Sequence, residues 1–253
     1  MLNKTELYYF SPTGGTKKAG RIFCEGIAKE VKEINLGEKV KEASQPESDL
    51  IVVAAPVFGG RIPEITTEKL KKMEGKGKKA ATLAVYGNRA YEDVLLELNQ
   101  TLEGQGFQIV ASAALVVQHS MASEVGKGRP DEMDKKSILD FSQRVLEKVE
   151  NGTHNIIKVS GNYPYKERMD MPVTPLSLPN CSQCGICEKI CPTDAIRIEN
   201  GAVVTSPEKC ILCMACTSTC PEHARILPPP LQEKTEQMLG ALKNIRRENE
   251  FFL

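Results

Sequence analysis

The chain has 253 residues, 41% of them hydrophobic, so it can bury a sizeable core without disulfide bonds. Its 33 basic and 33 acidic residues balance, which argues against a nucleic-acid-binding protein. The sequence has no apolar run of about 18 residues and no apolar signal-peptide region near its start. We therefore expect a cytoplasmic protein with no membrane span.

Strand and helix patterns alternate through the first 150 residues. Apolar runs predict five strands, at 5–10, 31–36, 49–58, 79–87 and 107–117. Periodic apolar faces predict helices at 19–27, 63–73, 91–102 and 138–149. Alternation of this kind predicts an α/β domain over residues 1–150, with a doubly wound parallel sheet and helices on both faces.

Three loops in this domain follow predicted strands. The first, "FSPTGGT" at 10–16, places hydroxyl groups around two glycines where a helix begins. Such a loop suits a phosphate group, although a plain turn with a helix cap is the alternative. The other two are "PVFGGRIP" at 56–63 and "YGNRAYED" at 86–93. Sheets of this type bind ligands at the carboxyl ends of their strands, where all three loops should lie.

The composition changes after residue 150. Residues 151–179 carry four prolines and no clear period, which predicts an extended connector in which Ile156, Ile157 and Val159 pack. Residues 180–228 form a second predicted domain, in which "CSQCGICEKICP" is repeated 29 residues later as "CILCMACTSTCP". Within it, the pair Asn200 and Gly201 predicts a two-residue hairpin.

Residues 229–253 are expected to form a C-terminal helix. Three prolines at 228–230 precede it, and an apolar face carries Met238, Leu239, Leu242 and Ile245. Such a face docks either on the first domain or on a second subunit, which leaves a homodimer as one alternative.

Eight of the nine cysteines fall in the two repeated motifs. Clustered cysteines in a cytoplasmic chain usually hold metal or carry out redox chemistry. The C-x2-C-x2-C spacing lets one loop surround an iron–sulfur cluster with three thiolates. The alternatives are structural zinc, whose cysteine pairs usually have a longer spacer, and disulfides, which the cytoplasm disfavours. The ninth cysteine, Cys24, is expected to be a packing residue.

The motifs resemble those of bacterial two-cluster ferredoxins, in which the fourth cysteine of each C-x2-C-x2-C-x3-C-P run binds the other cluster. This resemblance implies two [4Fe-4S] clusters. Gly185 and Ala215 would let cluster sulfur approach the loops. The ligands implied are Cys181, Cys184, Cys187 and Cys220 for one cluster, and Cys210, Cys213, Cys216 and Cys191 for the other.

Residues 1–150 resemble the flavodoxin family through the three loops, which occur in the family's order. The resemblance implies bound FMN and a five-stranded parallel sheet of order 2-1-3-4-5, next to a small α+β ferredoxin-like domain. The phosphate would be held by Ser11, Thr13, Gly14, Gly15 and Thr16. The flavin ring would be bound by Pro56, Val57, Phe58, Gly59, Gly60, Tyr86, Gly87, Asn88, Arg89 and Tyr91.

Aromatic and basic residues in these loops bear on the flavin chemistry. Phe58 and Tyr91 are candidates for stacking on the ring, although Tyr91 also fits the apolar face of a helix. Many flavodoxins stack tryptophan on the flavin, whereas this chain has none and carries Arg61 and Arg89 in the loops. We hypothesise that these arginines stabilise reduced flavin. His119 is assigned no role.

The two resemblances together imply an electron-transfer protein that passes electrons between its clusters and FMN, and on to a redox partner protein. No catalytic residue is predicted. One alternative is a flavin-dependent reductase of a quinone or nitro compound, with residues 116–130 roofing its substrate pocket. A second alternative is a redox sensor whose C-terminal helix is the output element.

Overall fold

The computed structural model describes residues 1–40, 42–153, 155–168 and 172–253. The predicted strands and helices of the first 150 residues are all present, with ends shifted by a few residues. The strands are β1 (Leu2–Tyr9), β2 (Ala28–Asn35), β3 (Leu50–Pro56), β4 (Lys79–Tyr86) and β5 (Gln108–Val116). The helices are α1 (Gly15–Glu25), α2 (Glu64–Leu70), α3 (Val94–Glu103) and α4 (Glu132–Glu150).

The five strands are parallel to one another and lie in the order 2-1-3-4-5, which confirms the predicted doubly wound topology. The prediction of a purely five-stranded parallel sheet was incomplete. A sixth strand from the end of the chain, β10 (Glu250–Phe252), pairs antiparallel with β5. Such a short segment becomes a strand only because the edge of β5 offers it backbone partners.

Helices cover both faces of the sheet. On one face, Phe23 of α1 and Phe141 of α4 pack against strand residues such as Val52. On the other face, Leu70 of α2 and Leu98 of α3 pack in a second core. Because β3 is buried along its whole length, its sequence "LIVVAAP" shows no polar alternation.

The cysteine region folds into short elements separate from the large sheet. The pair β7 and β8 forms the predicted hairpin, and Asn200 and Gly201 take φ values of 49° and 74° at its turn. β6 and β9 pair antiparallel. The elements are β6 (Leu176–Ser177), α5 (Ile186–Ile190), β7 (Ile196–Glu199), β8 (Ala202–Thr205), α6 (Ala215–Ser218) and β9 (Arg225–Ile226).

The C-terminal helix is shorter than predicted. The helix α7 (Pro229–Leu239) begins with two prolines, continues into a 3-10 turn at Gly240–Leu242 and ends there. Leu239 and Leu242 pack against Ala122 and Val125 of the first domain, which supports docking on that domain. Met238 and Ile245 were wrongly placed on the same buried face, since they are 65% and 48% exposed.

The connector contains little regular structure among its described residues. Ile157 and Val159 pack against the first domain as expected, but the prediction for Ile156 was wrong, because it is 84% exposed. His154 and residues 169–171 of the predicted connector lie outside the described residues. Within the described ranges, no helix has the length and apolar character needed to cross a membrane.

Candidate functional site

The eight clustered cysteines surround two separate cavities. Each cavity receives three thiols from one motif and a fourth from the other. One is lined by Cys181, Cys184, Cys187 and Cys220, and is called here the outer cavity. The other is lined by Cys191, Cys210, Cys213 and Cys216, and is called the inner cavity. All eight cysteines are free thiols, so soft sulfur donors are available in both places.

Local backbone geometry repeats between the motifs and explains how each loop curves around its cavity. Gln183 and Leu212, 29 residues apart, have φ values of 54° and 49°. Gly185 and Met214, again 29 residues apart, are left-handed N-caps of α5 and α6. The structural equivalent of Gly185 is therefore Met214, not Ala215 as the sequence pairing implied.

The fourth cysteine of each motif is held in the same way. The backbone N–H of Ala195 donates to Cys191 Sγ at 3.3 Å, and that of Ala224 donates to Cys220 Sγ at 3.3 Å. Hydrogen bonds from backbone N–H groups to sulfur are a feature of iron–sulfur sites. The second motif therefore preserves the sulfur environment of the first.

Burial makes the thiolate form costly in an empty cavity. It raises the pKa of the Cys213 thiol to about 12, and it also raises the pKa of Cys187, Cys210 and Cys216. Positive charge in the cavity is needed to hold these sulfurs as thiolates, and iron supplies such charge. Over the described residues, no three His, Cys, Asp or Glu groups are grouped as ligands of a single metal ion. The donor set therefore fits a sulfur-ligated cluster.

A buried arginine that the sequence analysis did not single out lies beside both cavities. Arg225 lines the outer cavity, and its Nη2 atom lies 4.0 Å from Cys216 Sγ of the inner cavity. The available signal was its register in the repeat, because the equivalent residue 29 positions earlier is Ile196.

The inner cavity adjoins the first domain. Ile211 and Cys213 pack against the hydrophobic core that contains Phe10 and is bordered by Val57 and Phe58. Next to this contact, Lys39 forms a 2.6 Å salt bridge with Asp194 of the cysteine region. In contrast, Cys184 of the outer cavity is exposed. One cavity thus faces the large sheet and the other faces solvent.

The loop after β1 forms the N-terminus of α1. Gly14 caps the helix with a φ of 89°, and Ser11 Oγ accepts a hydrogen bond from the Lys17 N–H at 2.9 Å. Thr13 and Gly14 are exposed, whereas Thr16 is buried. The N–H groups of a first helical turn have no acceptor within the helix, so this loop can receive an anionic group.

The loop after β3 is a tight turn. Phe58 and Arg61 exchange two backbone hydrogen bonds of 3.0 and 3.1 Å across Gly59 and Gly60, which both have positive φ. A Cβ atom on Gly60 would lie 1.9 Å from a carboxylate oxygen of Glu92, so glycine is required there. Pro56 is buried at the end of β3, while Val57, Phe58 and Gly59 are half-buried at the sheet edge.

The loop after β4 is packed against other parts of the chain. A Cβ on Gly87 would lie 2.4 Å from His119, which explains why glycine occupies this position. The Asn88 amide donates to the Ile245 carbonyl at 2.7 Å, and its oxygen accepts from the Arg247 N–H at 3.2 Å. The C-terminal segment therefore uses Asn88, which the sequence analysis had assigned to the flavin.

Two tyrosines predicted in the site lie in the core. Tyr86 and Tyr91 meet edge to face at 5.5 Å between ring centroids. Tyr91 donates a hydrogen bond of 2.7 Å to Glu250 of β10, and only 8% of it is exposed. This geometry favours the interpretation of Tyr91 as a core residue, and leaves Phe58 as the aromatic residue at the open edge.

Both loop arginines are paired with carboxylates. Arg61 makes a bidentate contact with Glu97, with both N–O distances at 2.8 Å, and its guanidinium lies 4.8 Å from the Tyr165 ring. Arg89 contacts Glu92 at 2.5 Å. Because each charge is already compensated, the hypothesis that they stabilise reduced flavin gains no support from this geometry.

His119 is held as a neutral acceptor. Burial, and then the charge of Arg89, lower its pKa below the ordinary value. Its Nδ1 atom accepts hydrogen bonds from the backbone N–H groups of Met121 and Ala122. These contacts give His119 a structural role in shaping the loop after β5.

The sheet order and the two cysteine cavities define a flavodoxin-like domain fused to a ferredoxin-like domain. Residues 180–225 match the family model of the 4Fe-4S dicluster domain. A ferredoxin-like protein of the nif region of Sinorhizobium fredii is 37% identical over 54 residues, which are 19% of this chain and 84% of that protein. The chain therefore belongs to the ferredoxin family through this domain, which supports an iron–sulfur cluster and an electron-transfer role.

Other similar proteins extend the comparison. An uncharacterised polyferredoxin-like protein of Methanocaldococcus jannaschii is 39% identical over 64 residues, 25% of this chain but only 28% of that relative. An archaeal flavodoxin structure is 18% identical, with a TM-score of 0.40, and covers 58% of this chain and 99% of its own. A flavodoxin of Streptococcus pneumonia is 16% identical over 57% of this chain and 99% of its own, with a TM-score of 0.41.

Proposed function

We propose that this protein transfers electrons between two [4Fe-4S] clusters and bound FMN, and on to a redox partner protein. The crossed arrangement of the cysteines carries this proposal, because four thiols line each of two cavities. Flavins exchange electrons singly or in pairs, whereas each cluster exchanges one, so the combination couples the two kinds of chemistry.

The position of the two cavities supports an order for the transfer. Cys213 of the inner cavity packs against the same core that Phe58 borders, so the inner cluster is the neighbour of the flavin in this proposal. Cys184 of the outer cavity is exposed, so the outer cluster is the one that a partner protein can approach. The chain holds the groups in place and supplies no acid or base.

Packing of the loop at 116–130 favours the carrier over a small-molecule reductase. Met121 of this loop packs with Leu212 and Leu227 of the cysteine region. Ala122 and Val125 pack beneath Leu239 and Leu242 of the C-terminal segment. A loop covered by these contacts is poorly placed to roof an open substrate pocket.

The test is anaerobic reconstitution of the full chain, followed by measurement of iron, sulfide and flavin. We expect about eight irons and about one FMN per chain. The reduced protein should pass electrons to one-electron acceptors, and it should reduce quinones and nitro compounds no faster than free FMN does. Saturable turnover of such a compound would favour the reductase, and retention of zinc without sulfide would contradict the proposal.

A further inference from the structure

Arg225 is a buried cation placed between the two cysteine cavities. Only 3% of the residue is exposed. It lines the outer cavity, and its Nη2 atom reaches within 4.0 Å of Cys216 Sγ in the inner one. A single guanidinium therefore stands close to both groups of thiols.

The hydrogen-bond partners of Arg225 are neutral. Its Nη1 atom donates to Ser177 Oγ at 2.8 Å and its Nη2 atom to Thr205 Oγ1 at 2.9 Å, while its buried Nε has no partner. Considering the described part of the chain, no carboxylate is among its hydrogen-bond partners. Burying a charge is costly unless an anion compensates it, and the nearest groups that can become anionic are the cysteine sulfurs.

The internal repeat shows that packing does not require a cation at this position. The equivalent residue in the first motif is Ile196, which is 2% exposed and packs with Cys187, Cys191 and Cys216. An isoleucine thus fills the corresponding space in one copy, while the other copy places a positive charge there. The thiols feel this charge, since Arg225 lowers the pKa of Cys187, Cys210 and Cys216 against the larger effect of burial.

We propose that Arg225 sets the reduction potentials of the clusters in both cavities, an inference that rests on the proposed function. Each reduction adds one electron from an external donor to a thiolate-bound cluster and moves no atom, so the cluster becomes more negative by one unit. A nearby cation stabilises this reduced state more than the oxidised one. Arg225 therefore raises both potentials without carrying the electron itself.

The experiment is a redox titration of the reconstituted full chain with dithionite, followed by electron paramagnetic resonance. In Arg225→Gln, which removes the charge, the ratio of reduced to oxidised cluster at a fixed solution potential should fall about tenfold, or about 59 mV for one electron. Arg225→Lys keeps the charge and should stay close to the unmodified protein. The matched control is Arg197→Gln, because Arg197 is half exposed and solvent screens its charge.

A second control separates the charge from the hydrogen bonds that tie the strands together. The double variant Ser177→Ala, Thr205→Ala removes both neutral partners, and it should leave both potentials unchanged. An equal shift in this variant would overturn the inference, as would unchanged potentials in a fully loaded Arg225→Gln protein.

Iron content, measured before each titration, keeps the outcomes distinct. If Arg225→Gln fails to load iron but Arg225→Lys loads it and keeps the potential, the charge is required and the inference holds. If Arg225→Lys also fails to load, the inference is overturned, because a retained charge should suffice. If the unmodified chain holds no clusters, the proposed function fails instead.

Discussion

At the scale of single residues, the exchange of the fourth cysteine joins the two motifs. Cys191 belongs by sequence to the first motif but lines the cavity of the second, and Cys220 does the reverse. Each thiol accepts a hydrogen bond from the backbone N–H four residues later. A substitution in one motif should therefore be detected in the cluster of the other.

We predict that Cys191→Ala loses the inner cluster and keeps the outer one, so iron falls to about half, roughly four atoms per chain. Iron and sulfide analysis with magnetic resonance of the remaining cluster would measure this. Cys24→Ala is the control, because Cys24 is fully buried on α1, away from both cavities, and should keep all the iron. Loss of the outer cluster in Cys191→Ala would contradict the crossed assignment.

Two glycines with the same backbone conformation allow a matched test of the phosphate loop. Gly14 and Gly77 have φ values of 89° and 78°, and a Cβ atom would meet open space at both. Alanine at either position should cost about 1 kcal/mol of folding free energy through left-handed strain. Only Gly14→Ala should weaken FMN binding, by roughly tenfold, because it disturbs the first turn of α1.

Flavin fluorescence titration gives the affinity for this pair, and urea unfolding gives the stability. The Gly77→Ala protein reports the cost of strain alone, since Gly77 precedes β4 at the opposite end of that strand from the proposed site. Equal FMN affinity in the two variants would remove the loop from the flavin site.

At the scale of elements, β10 ties the end of the chain to the first domain. Phe251 stacks on Phe141 of α4 with 4.6 Å between ring centroids, and Glu250 accepts the hydrogen bond from Tyr91. Just before the strand, Asn249 Oδ1 accepts a hydrogen bond from the Val116 N–H at 2.9 Å. The strand therefore closes the β5 edge of the sheet and also fixes the loop after β4.

We predict that Phe251→Ala lowers the free energy of unfolding of the first domain by about 2 kcal/mol, less than a fully buried phenylalanine would cost, because Phe251 is half-buried. Urea unfolding followed by circular dichroism would measure it. The control Met238→Ala should change stability by less than about 0.5 kcal/mol, since Met238 is exposed on α7. A similar loss in both variants would argue against a specific role for β10.

At the scale of the whole molecule, the cysteine domain depends on its iron more than the large sheet does. Its regular elements are at most five residues long, and its largest buried cluster contains the cysteines themselves. The first domain has two extensive apolar cores on the faces of its sheet. Metal binding and folding should therefore be coupled in one domain only.

We predict that removal of iron by a chelator under reducing conditions greatly increases amide hydrogen exchange across 180–228. Exchange in β3 and β4 should rise by less than about threefold, since those strands are fully buried in the sheet. Hydrogen exchange read by mass spectrometry distinguishes the two regions. Loss of protection throughout the sheet would mean that the domains fold as one cooperative unit.

The strongly periodic parts of the chain were predictable from sequence. The buried runs of β3, β4 and β5 fixed the sheet, and the repeat fixed the cysteine motifs, because both patterns are local. The roles of Asn88 and Tyr91 were not predictable, since both depend on contacts with residues more than 150 positions away. The same holds for Arg225, whose burial is decided by Ser177 and Thr205 on two other strands.

The pairing of β10 with β5 has a consequence for biosynthesis. A ribosome emits the cysteine motifs before it emits residues 250–252, so the metal-binding region leaves the exit tunnel while the β5 side of the large sheet still lacks its last neighbour. Iron delivery and completion of that sheet can therefore overlap in time, and a nascent chain stalled before residue 250 would leave the flank of β5 open to wrong partners.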